Sequence, residues 1–567
     1  MTDETGLQAA QCLSIVSGPP LSEEPGLGAL TLPGFLREVT QMYGEREALV
    51  WHSADGVTRW TYAQLWDRAG EVARALRGCG LGKDARVGVL MTNRPEWLAA
   101  VFGVSLAGGV AVTLSTFSTT PELDYLIRAS ALSVLLFERT VLTKDFAASL
   151  AELEPAIGVS RPGTLESAKY PFLRRLALVG APVPGIESWE EFLSHGREES
   201  RELIEATGAA VHPSDAAVLF FSSGSTSKPK GILSAHRGVC IQLWRFRRMY
   251  EFSPGDHVRG WTANGFFWSG NFAMVLGSTL ASGGALVLQS TFDAAEALEL
   301  MQAERVNFPF AWPHQWAELE GAPNWDRVDL SSVRYADYNT PIAHHPTVST
   351  EWYEPGHAYG NTETFTITTG YPANTPPEVH ADSFGVALPG VTLKITDPLT
   401  GAVVSCGEAG EIRVKGPTLM LGYTGTPLDE TLDSEGFFPT GDGGYLDDAG
   451  RLHWQGRLTD IIKTGGANVS PREVDESLIK HSGVKLAQTV GVPHPTLGEV
   501  VVACVVPHDG VILDAEQLVA FLRQRLASYK VPRHVLFFNE DEVAQTGNAK
   551  IKAGELRELA AKRLAGM

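Results

Sequence analysis

The sequence predicts an α/β protein: a large N-terminal domain of two similar α/β subdomains plus a small β-barrel-like part, followed by a small α+β C-terminal domain. The chain has 567 residues, 44% hydrophobic and 20% charged, too many for one core and ordinary in composition for a soluble globular protein. A unit of apolar helix, Gly-Gly turn and apolar strand occurs twice, as WLAAVFGVSLAGGVAVTL from residue 97 and MVLGSTLASGGALVL from residue 274. Beyond about residue 385 the alternation of helices and strands gives way to short strands of period 2, and after Asp460 to a compact mixture of helices and strands.

In chain order, residues 1 to about 30 are rich in Gly, Pro, Ser and Glu and are expected to be irregular. From there to about 210, helical patterns such as YAQLWDRAGEVARALRGCG alternate with strand-like runs such as RVGVLM and SVLLF, and the alternation repeats from 211 to about 385. The run 97–114 is long enough to suggest a membrane span, but Gly108-Gly109 splits it into a buried helix and a strand, and no transmembrane segment is expected. TLKITD, GEIRVKG and GRLHWQG read as strands of a small antiparallel sheet or barrel. EVDESLIKHSGV and AEQLVAFLRQRLA read as helices, and LAQTVGV, EVVVACVVP and HVLFFN as strands. The domains are therefore placed at 1–459 and 460–567, the second long enough to fold by itself.

The net charge of −20, from 46 basic and 66 acidic residues, argues against general binding to nucleic acid or anionic membranes. Five scattered cysteines (Cys12, Cys79, Cys240, Cys406, Cys504) show no C-x-x-C and no zinc spacing, so reduced thiols are expected. The start, MTDETG, is acidic and lacks a signal-peptide core, so a cytoplasmic enzyme is expected.

Residues 220–231 read FFSSGSTSKPKG, between the strand-like AAVLFF and a segment that can be helical, ILSAHRGVCIQLWRF. The hydroxyls of Ser222, Ser223, Ser225, Thr226 and Ser227, the backbone around Gly224 and the ammonium of Lys230 can together cradle a polyphosphate. Ser/Gly-rich loops are commonly plain connectors, but strand, loop, lysine pair and helix in this order point to a nucleoside triphosphate. Neither G-x-x-x-x-G-K-[ST] nor G-x-G-x-x-G is present in the loop, so P-loop and dinucleotide chemistry are not supported.

Four further segments can carry chemistry. YGNTETF (Tyr359 to Phe365) sets a hydroxyl and a carboxylate beside Gly360, suited to phosphate and a magnesium ion, although alone it reads as a turn with a solvated Glu. In PTGDGGYLDDAGRLHWQGR, Asp442 can accept two ribose hydroxyls and Arg457 can add hydrogen bonds, while DDAG is a hairpin turn. RLTDIIKTGGANVSPREVDE brings Gly465-Gly466, which permits close backbone passage, and Pro471 opening a helix. AQTGNAKIKAGELRE places Lys550 after a Thr-Gly-Asn turn, with Lys552 read as a solvated charge.

Together and in this order, these segments resemble the adenylate-forming superfamily of acyl-CoA synthetases, luciferases and peptide-synthetase adenylation domains, over roughly residues 35 to 560. The resemblance implies that Ser223 to Lys230 hold the β- and γ-phosphates of ATP, that Thr362 touches the α-phosphate and that Glu363 helps hold Mg2+. It implies that Tyr359 stacks near the adenine and that Asp442 binds the ribose with Arg457 beside it. Asp460 would be the hinge of a mobile C-terminal domain, Lys550 the lysine used in adenylation, and Gly465 and Gly466 the lining of the pantetheine route of coenzyme A.

Three residues depart from the family pattern. Ser227 stands where the loop most often has glycine, which restricts its backbone. Ala549 replaces the usual glycine before the lysine. Phe267, in FFWSGN, aligns with a gate residue and can gate sterically but cannot act as a base; the segment also lacks the aspartate that pairs with an amino-acid substrate's amine. Phe267, Trp268, Asn271, Trp312 and Ala358 are candidates for the acyl pocket, each also readable as ordinary core, with Asn271 and His314 placed to meet a polar substituent. The resemblance thus implies an ATP-dependent acid–thiol ligase for a medium to large hydrophobic acid, fatty, aromatic or alicyclic, under the heading of fatty acid metabolism, with no nucleic-acid partner and a homodimer left open. The alternatives are an acyl-AMP ligase that loads a carrier protein, although no restraining insertion is evident; a nucleotide-binding scaffold without turnover; and a light-emitting oxygenase.

Overall fold

The computed structural model describes residues 12–222, 229–253, 255–354, 358–464, 467–526, 530–543 and 553–565. Contacts divide the chain into two compact units: Ser17–Thr392 with Lys415–Phe438, and Met1–Val16 with Leu393–Val414 and Pro439–Met567.

The larger unit holds two α/β sheets. The first has eight strands in the order Glu187–Ser188, Arg175–Val179, Val134–Glu138, Arg86–Leu90, Val110–Thr113, Ala216–Ser222, Lys230–Ala235, Gly422–Tyr423. Its first six run parallel, Lys230–Ala235 adds antiparallel to Ala216–Ser222, and Gly422–Tyr423 adds antiparallel to Lys230–Ala235. The second has five, Phe308–Phe310, Arg259–Thr262, Ala285–Leu288, Glu47–Ser53 and Gly56–Thr61, parallel except for the last. Near-continuous runs such as Val87, Val89 and Leu90, or Val110, Ala111 and Val112, are fully buried, as parallel strands covered on both faces require.

The repeated helix–Gly-Gly–strand unit is present twice, as read from the sequence. Helix Pro95–Leu106 ends before Gly108 at φ +77°, and Val110–Thr113 follows. In the second copy a helical stretch ends before Gly283 at φ +72°, where a Cβ would also lie 2.7 Å from the Tyr43 ring, and Ala285–Leu288 follows. Both turns need the left-handed backbone that glycine supplies without steric cost. The Tyr62 hydroxyl fastens the second turn by hydrogen bonds to the carbonyls of Leu280 (3.1 Å) and Gly284 (2.7 Å).

The alternation repeats along the sequence near residue 210, but the sheets do not divide there. The second sheet takes Glu47–Ser53 and Gly56–Thr61 from before the first sheet's own strands, and the first takes Ala216–Ser222 and Lys230–Ala235 from after residue 210. Hydrophobic periodicity reports that a strand exists, not which sheet receives it.

In the other unit, Ile15–Ser17, Thr392–Thr396, Gly410–Lys415, Phe438–Leu446 and Leu452–Arg457 form a five-stranded sheet. Two expectations are corrected here. The N-terminal stretch is not wholly irregular, since Ile15–Ser17 is a strand and Leu21–Glu23 a helical turn. The cysteines are not all free: Leu13 pairs with Ser405, the Cα atoms of Cys12 and Cys406 come within 5.5 Å, and the two form a disulfide. A sequence separation of 394 hid that neighbourhood. Cys240 and Cys504 are buried free thiols and Cys79 is half-buried.

The C-terminal elements follow the sequence pattern. Val484–His494, Gly498–Pro507 and His534–Phe537 join Ile462–Thr464 and Ala467–Val469 in one sheet, flanked by helices Pro471–Ile479, Ala515–Arg523 and Ala553–Ala565. Among the described residues no helix is long and apolar enough to cross a membrane.

Candidate functional site

Ligand-binding loops of open α/β sheets lie beyond the carboxyl ends of their strands. The candidate loop leaves the carboxyl end of Ala216–Ser222, whose last residue pairs with Lys230 as the chain returns. Ser222 is half-buried and ends that strand; Ser223, Gly224, Ser225, Thr226 and Ser227 lie outside the described residues. The Tyr125 hydroxyl anchors the returning arm by donating to the Pro229 carbonyl at 2.9 Å.

Beside this arm stands the Thr362-Glu363 turn. Its residues form one helical turn, Thr362–Thr364, capped by Asn361, whose Oδ1 accepts from Thr364 N–H at 3.0 Å. Glu363 Oε1 accepts from the Tyr423 hydroxyl at 2.8 Å, and Lys230 Nζ sits 4.7 Å from the centre of the same Tyr423 ring. Glu363 O accepts from Met420 N–H at 2.7 Å. One aromatic ring thus joins the carboxylate expected at the metal to the ammonium expected at phosphate. Tyr423 was missed in the sequence, where nothing distinguishes it from any other strand tyrosine.

The turn is braced from behind by three rings: Phe220 lies 5.8 Å from Phe272 and 5.7 Å from Phe365, and these two are 6.0 Å apart. Phe365 takes φ +46° and Thr366 φ +86°. A β-branched residue at positive φ is a backbone outlier, and such strain concentrates at functional sites. Gly360 admits no side chain, because a Cβ there would lie 1.7 Å from the Thr366 carbonyl oxygen. Tyr359 is buried. Upstream, Glu354 N–H donates to Asp337 at 2.9 Å, and burial together with the Asp337 carboxylate pushes the Glu354 carboxyl up to about 7.

The acyl-pocket candidates do not all gather. Phe267, Trp268 and Asn271 share the turn after strand Arg259–Thr262; Phe267 packs on Trp268 at 5.4 Å and edge-on to Phe117 at 5.9 Å. Thr113, the last residue of its strand in the first sheet, directs its hydroxyl to the Phe267 carbonyl at 3.4 Å. The carboxyl ends of both sheets therefore meet at this turn. Trp312 packs edge-on to Phe310 at 5.6 Å and is 36% exposed, and Ala358 is also exposed, which sets both apart from the buried turn. His314 is half-buried, with Nδ1 unpaired.

In the other unit, Asp442 and Arg457 face each other across two antiparallel strands. Arg457 Nε lies 3.1 Å from Asp442 Oδ1, and its Nη1 donates to the Thr440 carbonyl at 2.8 Å. Thr440 Oγ1 accepts from Asp442 N–H at 3.1 Å. The Asp442 side chain is 4% exposed and that of Arg457 47%, so the carboxylate is recessed behind an accessible guanidinium. The DDAG turn is the expected hairpin, with Asp447 accepting from the N–H groups of Ala449 and Arg451. Asp460 N–H donates to the Arg457 carbonyl at 3.0 Å, directly after this strand. Gly465, Gly466, Ala549 and Lys550 lie outside the described residues.

A loop on a strand's carboxyl end, with a carboxylate, an ammonium and a ring beside it, is a place for a nucleotide's phosphates. The chain belongs to the AMP-binding enzyme family, the adenylate-forming enzymes: residues 36–424 match that family and 473–550 its C-terminal domain. It is an AMP-forming acid–CoA ligase, which uses ATP to join a carboxylic acid to coenzyme A through an acyl adenylate. It is 31% identical over 559 residues to the 3-[(3aS,4S,7aS)-7a-methyl-1,5-dioxo-octahydro-1H-inden-4-yl]propanoyl:CoA ligase of Rhodococcus jostii, covering 95% of this chain and 99% of that protein. It is 31% identical to feruloyl-CoA synthase of an Amycolatopsis species, over 88% of this chain and 94% of that one. Among solved structures, the amide bond synthetase McbA of Marinactinospora thermotolerans superposes with a TM-score of 0.73 at 27% identity, covering 93% of this chain and 99% of that one.

Proposed function

We propose that the acid is medium to large and hydrophobic, and that the residues named above divide the work. The joining of Glu363, Tyr423 and Lys230 at the carboxyl end of the first sheet carries the nucleotide part of this reading, and the packed rings of Phe267, Trp268 and Phe117 support a hydrophobic acid. Two relatives named for a propanoyl group on a fused dioxo ring and for a feruloyl group support a ring-bearing acid, aromatic or alicyclic.

In this reading the loop from Ser222 to Lys230 holds the β- and γ-phosphates, and the Thr362 hydroxyl meets the α-phosphate. Tyr359 and Gly360 line the adenine side, and Asp442 and Arg457 take the ribose. A carboxylate oxygen of the acid attacks the α-phosphorus, a P–O bond forms, and pyrophosphate leaves. Lys550 offsets the charge that spreads over carboxylate, phosphate and leaving group without bonding covalently. The coenzyme A thiol, losing its proton, then attacks the acyl carbon, and AMP leaves with the electron pair of the broken C–O bond. Lys550 must withdraw for that step, so residues 460–567 turn about Asp460 and bring Gly465 and Gly466 to the pantetheine arm.

Glu363 fits Mg2+, which commonly takes one or two carboxylates plus substrate phosphates rather than an all-protein cage. Among the described residues no group of three or more His, Cys, Asp or Glu offers such a cage. When bound, the ion would supply electrostatic neutralisation of the phosphates.

The test is a panel of carboxylic acids assayed for pyrophosphate release with and without coenzyme A. Release that requires a hydrophobic acid and yields its acyl-CoA supports the reading. Acyl-AMP that accumulates untouched by coenzyme A would assign the acceptor to a carrier protein, and silence across the panel would leave a nucleotide-binding scaffold.

A further inference from the structure

We propose that the acyl pocket carries a recessed hydrogen-bond donor, the side-chain amide of Asn271, and that the preferred acid is hydrophobic but bears a neutral oxygen acceptor in its acyl part, such as a ring ketone. This rests on the assignment of the Phe267–Asn271 turn to the acid.

Asn271 is 1% exposed. The Thr262 hydroxyl accepts from Asn264 N–H at 3.1 Å and donates to Asn271 Oδ1 at 3.4 Å. That orients the amide, and its Nδ2 is left buried without a partner. Two more orphaned donors border the same turn. One is Asn264 Nδ2; the other is Nε1 of the fully buried Trp97, whose ring lies 5.4 Å from Phe266 and 5.9 Å from Phe272. The backbone of the turn is itself satisfied: Asn93 accepts from Phe266 N–H at 2.9 Å and donates to the Asn264 carbonyl at 2.8 Å.

A buried N–H without an acceptor is more costly than an apolar side chain at the same place. A chain that retains three such donors at one turn is built to receive an acceptor. An amine or ammonium substituent would set donor against donor. A second carboxylate would bring a charge among Trp97, Phe266 and Phe267, where rings cannot solvate it. A carbonyl or ether oxygen meets the requirement. The residues that follow, Phe272–Gly277, form a π-helical segment, an irregularity that recurs beside functional sites.

The test compares pyrophosphate release from 3-cyclohexylpropanoate with that from its 2-, 3- and 4-oxo ring counterparts. At least one oxo acid should exceed the parent in kcat/KM by about tenfold to hundredfold, the discrimination expected of one buried neutral hydrogen bond. Asn271→Leu and Asn271→Met should each bring that ratio to about one or below. Because the ratio is taken within each protein, a smaller folded fraction cancels from it. A parent acid that outruns all three oxo acids on the unaltered enzyme overturns the proposal, whether or not the variants fold, and makes the partner of Nδ2 a trapped water. A ratio that survives both substitutions also overturns it. Failure of every acid in the wider panel is a different result, which removes the hydrophobic-acid reading itself.

Discussion

Replacing Asp442 with Asn should weaken ATP and little else. The Asp442 side chain is 4% exposed and its charge faces Arg457 at 3.1 Å, but that guanidinium is 47% exposed and keeps its bond to the Thr440 carbonyl. Arg457 can therefore be solvated when its partner becomes neutral, and the fold should lose no more than about 1 kcal/mol, the scale of an exposed pair. A carboxylate that accepts two ribose hydroxyls makes two charge-assisted bonds, each about 1.5–3 kcal/mol. An amide retains one acceptor and no charge, so the loss should be about 2–3 kcal/mol, or ~30–150-fold in KM for ATP. Pyrophosphate release would be followed against ATP at saturating acid, with a thermal melt of each protein. The melting temperature should move by no more than about 4 °C. A KM for ATP within threefold of the unaltered enzyme would refute the ribose role. A large fall in melting temperature that tracks the loss of activity would show the carboxylate to be structural instead.

Gly360→Ala should abolish measurable adenylation and lower the melting temperature, because its Cβ would meet the Thr366 carbonyl at 1.7 Å and neither backbone can yield; normal turnover would contradict that. Lys550→Ala should stop adenylate formation yet leave thioester formation from a supplied acyl adenylate largely intact, and equal loss of both half-reactions would contradict the alternation about Asp460. Glu354→Gln should flatten the stability profile. A carboxyl held at about 7 binds its proton in the folded state while the unfolded chain has released it, so its contribution falls as pH rises from about 4.5 to 7 and stays low above that. The variant should therefore gain in melting temperature at pH 8 relative to its parent and gain little at pH 4.5, and parallel profiles would refute the assignment.

The parts of the fold legible in the sequence were those written in local pattern. Gly108-Gly109 and Gly283-Gly284 marked two helix-to-strand turns because a positive φ leaves a compositional trace. The strand partners were not legible: nothing near Glu47–Ser53 says that it will lie beside Ala285–Leu288. The Cys12–Cys406 link was hidden for the same reason. At the site, Glu363 and Asp442 stood out because their segments follow the Ser/Gly loop in the family's order, whereas each segment alone reads as an ordinary turn. Tyr423 did not, because its role comes only from standing within reach of Glu363 and Lys230. The orphaned amide of Asn271 depends on the orientation of one threonine hydroxyl, which no spacing encodes.

The interleaving of the two sheets has a consequence for synthesis on the ribosome. A nascent chain that has emerged only to residue 210 carries Glu47–Ser53 without Ala285–Leu288, and Val110–Thr113 without Ala216–Ser222. Its buried strands Arg86–Leu90 and Val110–Thr113 then end in a bare, apolar edge, the kind that pairs with other chains. The second sheet lacks Ala285–Leu288 and Phe308–Phe310, and the first its last strand Gly422–Tyr423, until those residues have been made, so this is a protein whose early strands must be kept apart before they can be put together. Cutting the gene at the pseudo-repeat should yield two insoluble halves, not two modules.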